Sequence, residues 1–154
     1  LCRFEIMSHV THLAKRFVSS FSRRDVSDAE LKMVRSTLSA GECEMWIRFN
    51  KADRRHSVEV ANRFVALRPG ATRNEIAGVL LHDIGKIASN LSTFQRVVAT
   101  IVGPRNKRFS LYHQHEEIGV DMLRQAGSHS EVIAIINQTC NADVSAAFLA
   151  ADNI

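Results

Sequence analysis

Apolar residues recur at spacings of three and four along most of the chain, as they do in helices that bury one face. Val58, Ala61 and Val65, for example, follow this spacing. No alternation of apolar and polar positions, which is the pattern of a half-buried strand, continues beyond a few residues. The pattern therefore predicts an all-α fold. The predicted helices cover residues 4–22, 28–38, 40–50, 53–68, 73–84, 92–102, 109–126, 129–140 and 144–152.

Several predicted helices begin with a Ser or Thr that is followed three residues later by Glu or Gln, the sequence pattern of a capping box. The five pairs are Ser27 and Glu30, Ser39 and Glu42, Thr72 and Glu75, Ser92 and Gln95, and Ser128 and Glu131. Pro69 and Pro104 each lie beside a glycine and indicate breaks between helices. A charged turn at residues 22–25 predicts an N-terminal helical extension over residues 1–38 and a main domain over residues 39–154.

Composition narrows the function classes. A chain of 154 residues has the length of one domain. Its 20 Lys and Arg exceed its 16 Asp and Glu by only four, which is far from the charge density of a nucleic-acid-binding tail. The sequence also shows no helix-turn-helix and no interleaving of aromatic and basic residues. Nucleic-acid binding is therefore the least favoured of the functions considered.

Targeting signals and cysteine usage point to the cell interior. The longest apolar runs, residues 76–81 and 97–102, are much shorter than the ~18–20 residues of a membrane span. The first residues contain no apolar stretch of the kind found in signal peptides. The three cysteines are far apart and form no CxxC pair, so neither a disulfide framework nor a cysteine zinc site is expected. We expect a cytoplasmic protein that does not bind membranes.

The stretch LLHDIGK, residues 80–86, is the most informative part of the chain. An apolar helix here ends in an imidazole, His82, and a carboxylate, Asp83, and burying either group without a partner is costly. The pair is suited to gripping one ion at the end of the helix. Gly85 allows the backbone to turn, and Lys86 adds a cation. The alternative is a core histidine that makes its own hydrogen bonds next to a capping aspartate.

Two further residues could complete an ion site. His56 lies early in a helix with a buried face, and Asp152 ends an apolar run. A ligand set of two imidazoles and two carboxylates favours Mn, Fe, Co, Ni or Mg over zinc of the kind that cysteine thiolates bind. Such a set leaves positions open for water and for a substrate oxygen. The other histidines that we expect to have no role at this site are His9, His12, His113 and His129.

The order of His56, His82-Asp83 and Asp152 resembles the HD-domain superfamily of metal-dependent phosphohydrolases, and His82-Asp83-Ile84-Gly85 resembles its HDIG subgroup. The resemblance covers about residues 40–154, and parts of it are similar to small HD proteins of actinobacterial type. It implies an all-α HD-domain helical bundle with its site between helices. It also implies that His56, His82, Asp83 and Asp152 bind a divalent ion, which could be Mn, Fe, Co, Ni, Mg or Zn.

The resemblance is incomplete at a second metal position. Many HD proteins with two metals carry two further histidines, and the first of these matches His115. The second falls near Gln138, where this chain has no histidine. We therefore expect one metal, or a weakened second site that uses His115. The GYP tripeptide of the cyclic-dinucleotide phosphodiesterases is absent, so their substrate is not carried over.

The implied activity is hydrolysis of a phosphomonoester or phosphodiester, with a nucleotide or related small phosphorylated molecule as substrate, by metal-activated water. Asp83 and Lys86 are the expected catalytic residues. Lys86, Arg54 and Arg55 are the expected substrate-binding residues, because cations offset charge on phosphate oxygens. The alternative for the two arginines is a solvated face. The alternative for the protein is a catalytically degenerate HD module that binds metal or nucleotide as a regulatory part.

Overall fold

The computed structural model describes residues 25–89 and 114–153, and this part of the chain contains helices and no strand. The predicted all-α fold is therefore confirmed. The predicted helices 4–22 and 92–102 lie outside the described residues. The described helices are α1 (Asp28–Thr37), α2 (Ala40–Ile47), α3 (Lys51–Leu67), α4 (Arg73–Leu81), α5 (Lys86–Ser89), α6 (His115–Gln125), α7 (Ser130–Ile136) and α8 (Ala142–Asp152).

Three helices begin with the capping boxes that the sequence predicts. Ser27, Ser39 and Thr72 each accept a hydrogen bond from the backbone N–H three residues later, and the glutamate at that position accepts one in return. The predicted pair Ser92 and Gln95 lies outside the described residues. Helix α3 begins two residues before its predicted start, because the Asn50 side chain accepts from the Asp53 N–H at 2.9 Å.

The prediction for the start of α7 was wrong by one residue. The cap is His129 and not Ser128, and the His129 Nδ1 accepts from the Glu131 N–H at 3.3 Å. A histidine can serve as a cap because its unprotonated ring nitrogen is an acceptor. The His129 side chain is exposed. The other three histidines that we expect to have no role at the site, His9, His12 and His113, lie outside the described residues.

Three helices end three or four residues before their predicted C-terminal ends: α2 at Ile47, α4 at Leu81 and α7 at Ile136. Helix α4 ends at Leu81, and beyond it the Ile84 N–H donates to the Leu81 carbonyl three residues back instead of four. A turn over residues 82–85 then leads into α5, which the sequence did not predict as a separate helix. Helix α7 ends at Ile136 because Gln138 adopts a left-handed backbone conformation with φ of 56°. Both changes of direction carry residues of the candidate site.

Helix α4 lies at the centre of the bundle and contacts α1, α2, α3 and α7. It is buried on nearly every side, which explains why its sequence is apolar over most of its length. Helix α8 packs against α3, and α6 packs against α5 and α7. The largest fully buried side chains are Trp46, Phe64, Leu80, Leu81, Ile84, Leu123 and Ile135. No helix within residues 25–89 and 114–153 is long and apolar enough to cross a membrane.

Helix α1 belongs to the same hydrophobic core as the helices that follow it. Val34 is completely buried and Leu38 is nearly so, and both lie in one cluster with the side chains of α4. The proposed division between an extension over residues 1–38 and a domain over residues 39–154 stays a prediction.

A close approach of two backbones joins the turn after α4 to helix α6. A Cβ atom on Gly85 would lie 1.7 Å from the His115 carbonyl oxygen, so only glycine fits at this position. Gly119 faces the same contact from α6, where a Cβ would lie 3.2 Å from the Gly85 nitrogen. Gly119 therefore permits the close packing of α6 against this turn. This contact holds His115 beside the turn that carries His82 and Asp83.

Candidate metal centre

Three segments that are distant in sequence bring the predicted ligands together. His56 lies on α3, His82 and Asp83 lie on the turn after α4, and Asp152 is the last residue of α8. Ligand atoms of His56, His82 and Asp83 lie within 4.8 Å of one another. The Asp152 Oδ1 lies 3.1 Å from the His56 Nε2 and 3.7 Å from the His82 Nε2. The packing of α8 on α3 therefore places Asp152 beside both imidazoles.

The His82 ring is oriented as a metal ligand would be. Its Nδ1 lies 2.8 Å from the Val79 carbonyl oxygen, and because a carbonyl only accepts, Nδ1 carries the proton of the neutral ring. The Nε2 then presents a lone pair towards Asp83 and Asp152. This buried Nε2 has no hydrogen-bond partner among the residues that the structure describes. A buried acceptor left in this state fits a metal ion, which would take up the lone pair.

Two rings pack edge to face against His82 and fix its position. The His56 ring centroid lies 5.5 Å from that of His82, and the Phe148 centroid lies 5.4 Å away on α8. Such T-shaped contacts are favourable aromatic arrangements. The ring of His82 is therefore held by its backbone hydrogen bond and by packing, so its Nε2 direction is preorganised.

Asp83 is a buried carboxylate that lies beside Lys86 and three histidines. Burial raises the pKa of Asp83, but the Lys86 ammonium first, and then the neighbouring histidine side chains, outweigh burial and hold that pKa well below its usual range. The Lys86 ammonium donates to the Asp83 Oδ2, and the His115 Nε2 lies 3.6 Å from the Asp83 Oδ1. Asp83 is therefore an anion at neutral pH, as a metal ligand must be.

A cavity of about 210 Å³ opens beside these residues. This volume is below the ~300–1,000 Å³ that is typical of pockets for drug-sized ligands. The space between the described walls therefore has the size of a small chemical group. The lining residues are His82, Asp83, Lys86, His115, Glu116, Ile136, Gln138, Phe148, Leu149 and Asp152. The predicted residues Lys86 and His115 thus lie on the wall, and His56 lies behind it, against His82 and Asp152.

The sequence did not single out four of the lining residues as site residues: Glu116, Ile136, Phe148 and Leu149. A signal for two of them was present, because Phe148 and Leu149 precede Asp152 by four and three positions and so share a helix face with it. Glu116 adjoins His115 in the sequence. Ile136 could not be found in this way, because it ends α7 and reaches the cavity only through the packing of α7.

The structure does not bring Arg55 to the described cavity. Its Nη1 binds the Glu30 carboxylate at 2.8 Å, and its Nε donates to the Glu59 Oε1 at 2.9 Å. The hydrogen bond to Glu59, one turn along α3, raises the pKa of Arg55 further above its usual value, and Glu30 adds to the effect. Arg54 is also absent from the described walls of the cavity, and its Nε is buried with no hydrogen-bond partner there. Substrate binding by the two arginines stays a prediction.

Comparison with known families agrees with this arrangement. A family model described as the HD domain matches residues 54–146, which is more than half of the chain. The matched range includes His56, His82, Asp83 and His115 and ends before Asp152. No curated protein and no solved structure shows a significant match. The HDIG subgroup and the likeness to actinobacterial proteins stay predictions.

HD domains are typical of metal-dependent phosphohydrolases, and they bind divalent metals. The donor set found here, with an orphaned buried imidazole nitrogen and an ionised buried carboxylate, fits such an ion. The fold agrees as well, because the described chain is a helical bundle with its candidate site between α3, α4, α6 and α8. The family match and the structure together lead to one conclusion: this chain belongs to the HD-domain family.

Proposed function

We propose that the protein is a phosphohydrolase that cleaves a phosphomonoester or phosphodiester bond in a nucleotide or a related small phosphorylated molecule. The observation that carries the proposal is the cluster of His56, His82 and Asp83 beside a cavity whose wall holds His82, Asp83 and the buried Lys86. Metal ligands, a cation and space for a small group are the components that phosphate hydrolysis requires.

The residues proposed to hold the divalent ion are His56, His82, Asp83 and Asp152. When bound, the ion would supply Lewis acidity towards a phosphoryl oxygen and would lower the pKa of a coordinated water towards neutrality. The protein supplies the geometry, because the Val79 carbonyl fixes the proton of His82 on Nδ1 and leaves Nε2 for the ion.

Asp83 and Lys86 are proposed to handle charge and proton position. The Asp83 carboxylate stays ionised and can accept a hydrogen bond from the attacking water, which orients that water. The buried Lys86 ammonium lies on the cavity wall and can offset negative charge on the phosphate oxygens. His115 is proposed to add a donor on the opposite side of Asp83, or a ligand of a weak second ion.

A regulatory module that binds metal or nucleotide without turnover is the second candidate. One observation favours it: the cavity wall carries an amide, Gln138, near the place where the resemblance calls for a second ligand histidine. An amide is a poor ligand for transition metals compared with imidazole. A weakened second position would leave one ion bound and could reduce or abolish hydrolysis.

Metal analysis of the purified protein, followed by a panel of phosphate esters with added Mn, Co, Ni and Mg, tests the proposal. We expect His82→Ala to lose at least about 100-fold in metal affinity and to lose turnover. The matched control is His129→Asn, which replaces an exposed histidine by another residue that can cap α7 and should change neither property. Bound metal without turnover on any ester would favour the regulatory module. A wild-type protein that binds no metal contradicts the hydrolase, and one that binds neither metal nor nucleotide contradicts both candidates.

A further inference from the structure

Helix α7 ends at the cavity in a Schellman motif. The Gln138 N–H donates to the Ile135 carbonyl at 3.3 Å, and the Thr139 N–H donates to the Ala134 carbonyl at 2.9 Å. This pair of hydrogen bonds requires a left-handed residue just after the helix, and that residue is Gln138, with φ of 56°. Gln138 is the only residue other than glycine with a positive φ in the part of the chain that the structure describes.

Helix α6 ends in the same motif and provides an internal comparison. The Gly127 N–H donates to the Arg124 carbonyl at 3.1 Å, and the Ser128 N–H donates to the Leu123 carbonyl at 3.0 Å. The left-handed residue here is Gly127, with φ of 73°, and it does not line the cavity. Glycine is the residue that this position favours, because a Cβ atom makes the left-handed conformation costly. The two helix ends therefore have the same backbone and differ in the residue that occupies it.

The position of Gln138 on the cavity wall distinguishes it from Gly127. A glutamine has no short side chain of the kind that makes Asn tolerant of this conformation, so the backbone gains nothing from it. Gln138 is exposed, however, and it lines the cavity together with Lys86, Asp83 and Asp152. A residue kept in an unfavourable backbone conformation beside a site indicates that its side chain is needed there.

We propose that Gln138 is a substrate-binding residue whose amide recognises the uncharged part of the substrate next to the phosphoryl group. This inference rests on the proposed function and adds to it the chemistry of recognition. A carboxamide offers two N–H donors and an oxygen acceptor without charge. It therefore matches a group that both donates and accepts hydrogen bonds, such as a sugar hydroxyl or the edge of a nucleobase. The charged residues Lys86 and Asp83 serve the phosphate end of the same cavity.

Thermal unfolding of three variants tests the backbone part of the argument. Gln138→Gly removes the strain and should raise the Tm by about 2–4 °C. Gln138→Ala removes the amide and keeps a Cβ in the left-handed conformation, so its Tm should stay near that of the wild type. Gly127→Gln is the matched control at α6, where an added Cβ meets no atom within 4 Å. It should lower the Tm by a similar amount, because it adds the same strain and no contact.

Kinetics on metal-loaded protein test the recognition part. The probes are a panel of nucleoside 5′-monophosphates and p-nitrophenyl phosphate, which has neither sugar nor base. Gln138→Gly and Gln138→Ala should both raise the KM for the best nucleotide by about tenfold, the effect of losing one neutral hydrogen bond, with kcat nearly unchanged. Neither variant should change the KM for p-nitrophenyl phosphate, and Gly127→Gln should change neither KM.

The outcomes separate this inference from the proposed function. Unchanged nucleotide KM in both Gln138 variants overturns the inference and leaves the hydrolase standing. If the wild type turns over no ester, calorimetric binding of the same nucleotides replaces the KM. Binding that weakens in both variants then supports the inference and contradicts hydrolysis. A wild type that neither cleaves nor binds any nucleotide of the panel overturns the inference.

Discussion

The contact between Gly85 and helix α6 allows a prediction whose size follows from the geometry. In Gly85→Ala the new Cβ would lie 1.7 Å from the His115 carbonyl oxygen, half of the 3.4 Å at which ordinary van der Waals contact begins. It would also lie 2.6 Å from the His115 carbonyl carbon and 2.8 Å from the Gly119 nitrogen. All three are backbone atoms, so no side-chain rotation can relieve the overlap. Either the turn or α6 must move by more than an ångström.

The energetic cost of this movement is large compared with ordinary overpacking. Inserting a methyl group into a packed core costs about 1–3 kcal/mol when side chains can adjust. Because only backbone can adjust here, we expect Gly85→Ala to lower the free energy of unfolding by at least about 3 kcal/mol. Movement of α6 would also carry His115 away from Asp83, which lies 3.6 Å from it in the native structure.

Urea unfolding followed by circular dichroism measures the free energy of unfolding, and metal titration of the folded variant reports on the site. Gly70→Ala is the matched control, because a Cβ at this loop glycine meets no atom within 4 Å. Its free energy of unfolding should be unchanged or rise by up to about 1 kcal/mol, since alanine restricts the unfolded chain. A Gly85→Ala protein within 1 kcal/mol of the wild type, with unaltered metal affinity, would refute the reasoning.

Two further predictions concern buried and pH-dependent interactions away from the site. Trp46→Phe should cost about 1–3 kcal/mol in urea unfolding, because the buried Trp46 Nε1–H donates to the Ser57 Oγ at 2.9 Å. The pKa of Glu30 lies below its ordinary value of 4.5, first because the Ser27 N–H donates a hydrogen bond to this carboxylate and then because Arg55 lies beside it. In the unfolded chain, Glu30 therefore binds a proton more tightly than it does in the folded protein. The stabilisation that Glu30 contributes is present above pH 4.5 and is lost as the pH falls through the pKa of Glu30 in the folded protein. Glu30→Gln should flatten this part of the curve of stability against pH.

Each of these predictions has a control and a result that would contradict it. A double-mutant cycle with Ser57→Ala isolates the Trp46 hydrogen bond, and a coupling energy near zero would show that the bond does not stabilise the fold. For Glu30, the control is Glu131→Gln, which changes an exposed carboxylate at the start of α7. Parallel acid-unfolding profiles of the wild type and Glu30→Gln would mean that the pKa of Glu30 is not lowered by folding.

Helix starts were predictable because their interactions are local. The caps at Ser27, Ser39 and Thr72 depend on groups only three residues apart, and all three formed as the pattern predicts. The pattern failed at Ser128, where the adjacent His129 took the cap position. Two neighbouring residues that can both accept a hydrogen bond compete for one helix start, and the sequence pattern alone does not rank them.

Helix ends were predicted less well, because apolar periodicity can continue past the last helical turn. The apolar run of α4 predicts a helix to residue 84, but the chain turns after Leu81 and brings His82 and Asp83 to the site. The end of α7 was placed at residue 140, but Gln138 turns the backbone after Ile136. Sequence patterns rarely reveal a left-handed residue when it is not glycine.

The ligand set shows how far the sequence determined the candidate site. The residues themselves, His56, His82, Asp83 and Asp152, follow from their order in the chain and its likeness to HD domains, and the family match agrees on the fold. The sequence could not show that the His56 and Asp152 side chains meet at 3.1 Å across 96 residues. That distance depends on how α8 packs against α3, which is a property of the whole core.

By itself, then, the sequence determined the helical class, the starts of three helices and the identity of the ligand candidates, because these depend on neighbours within one helical turn or on residue order. Only the tertiary structure decided which side chains share a cavity. It placed Gln138 on the cavity wall, paired Arg55 with Glu30 and Glu59, and set His115 against the turn at Gly85. These outcomes depend on contacts between helices, and close packing of the whole core selects those contacts.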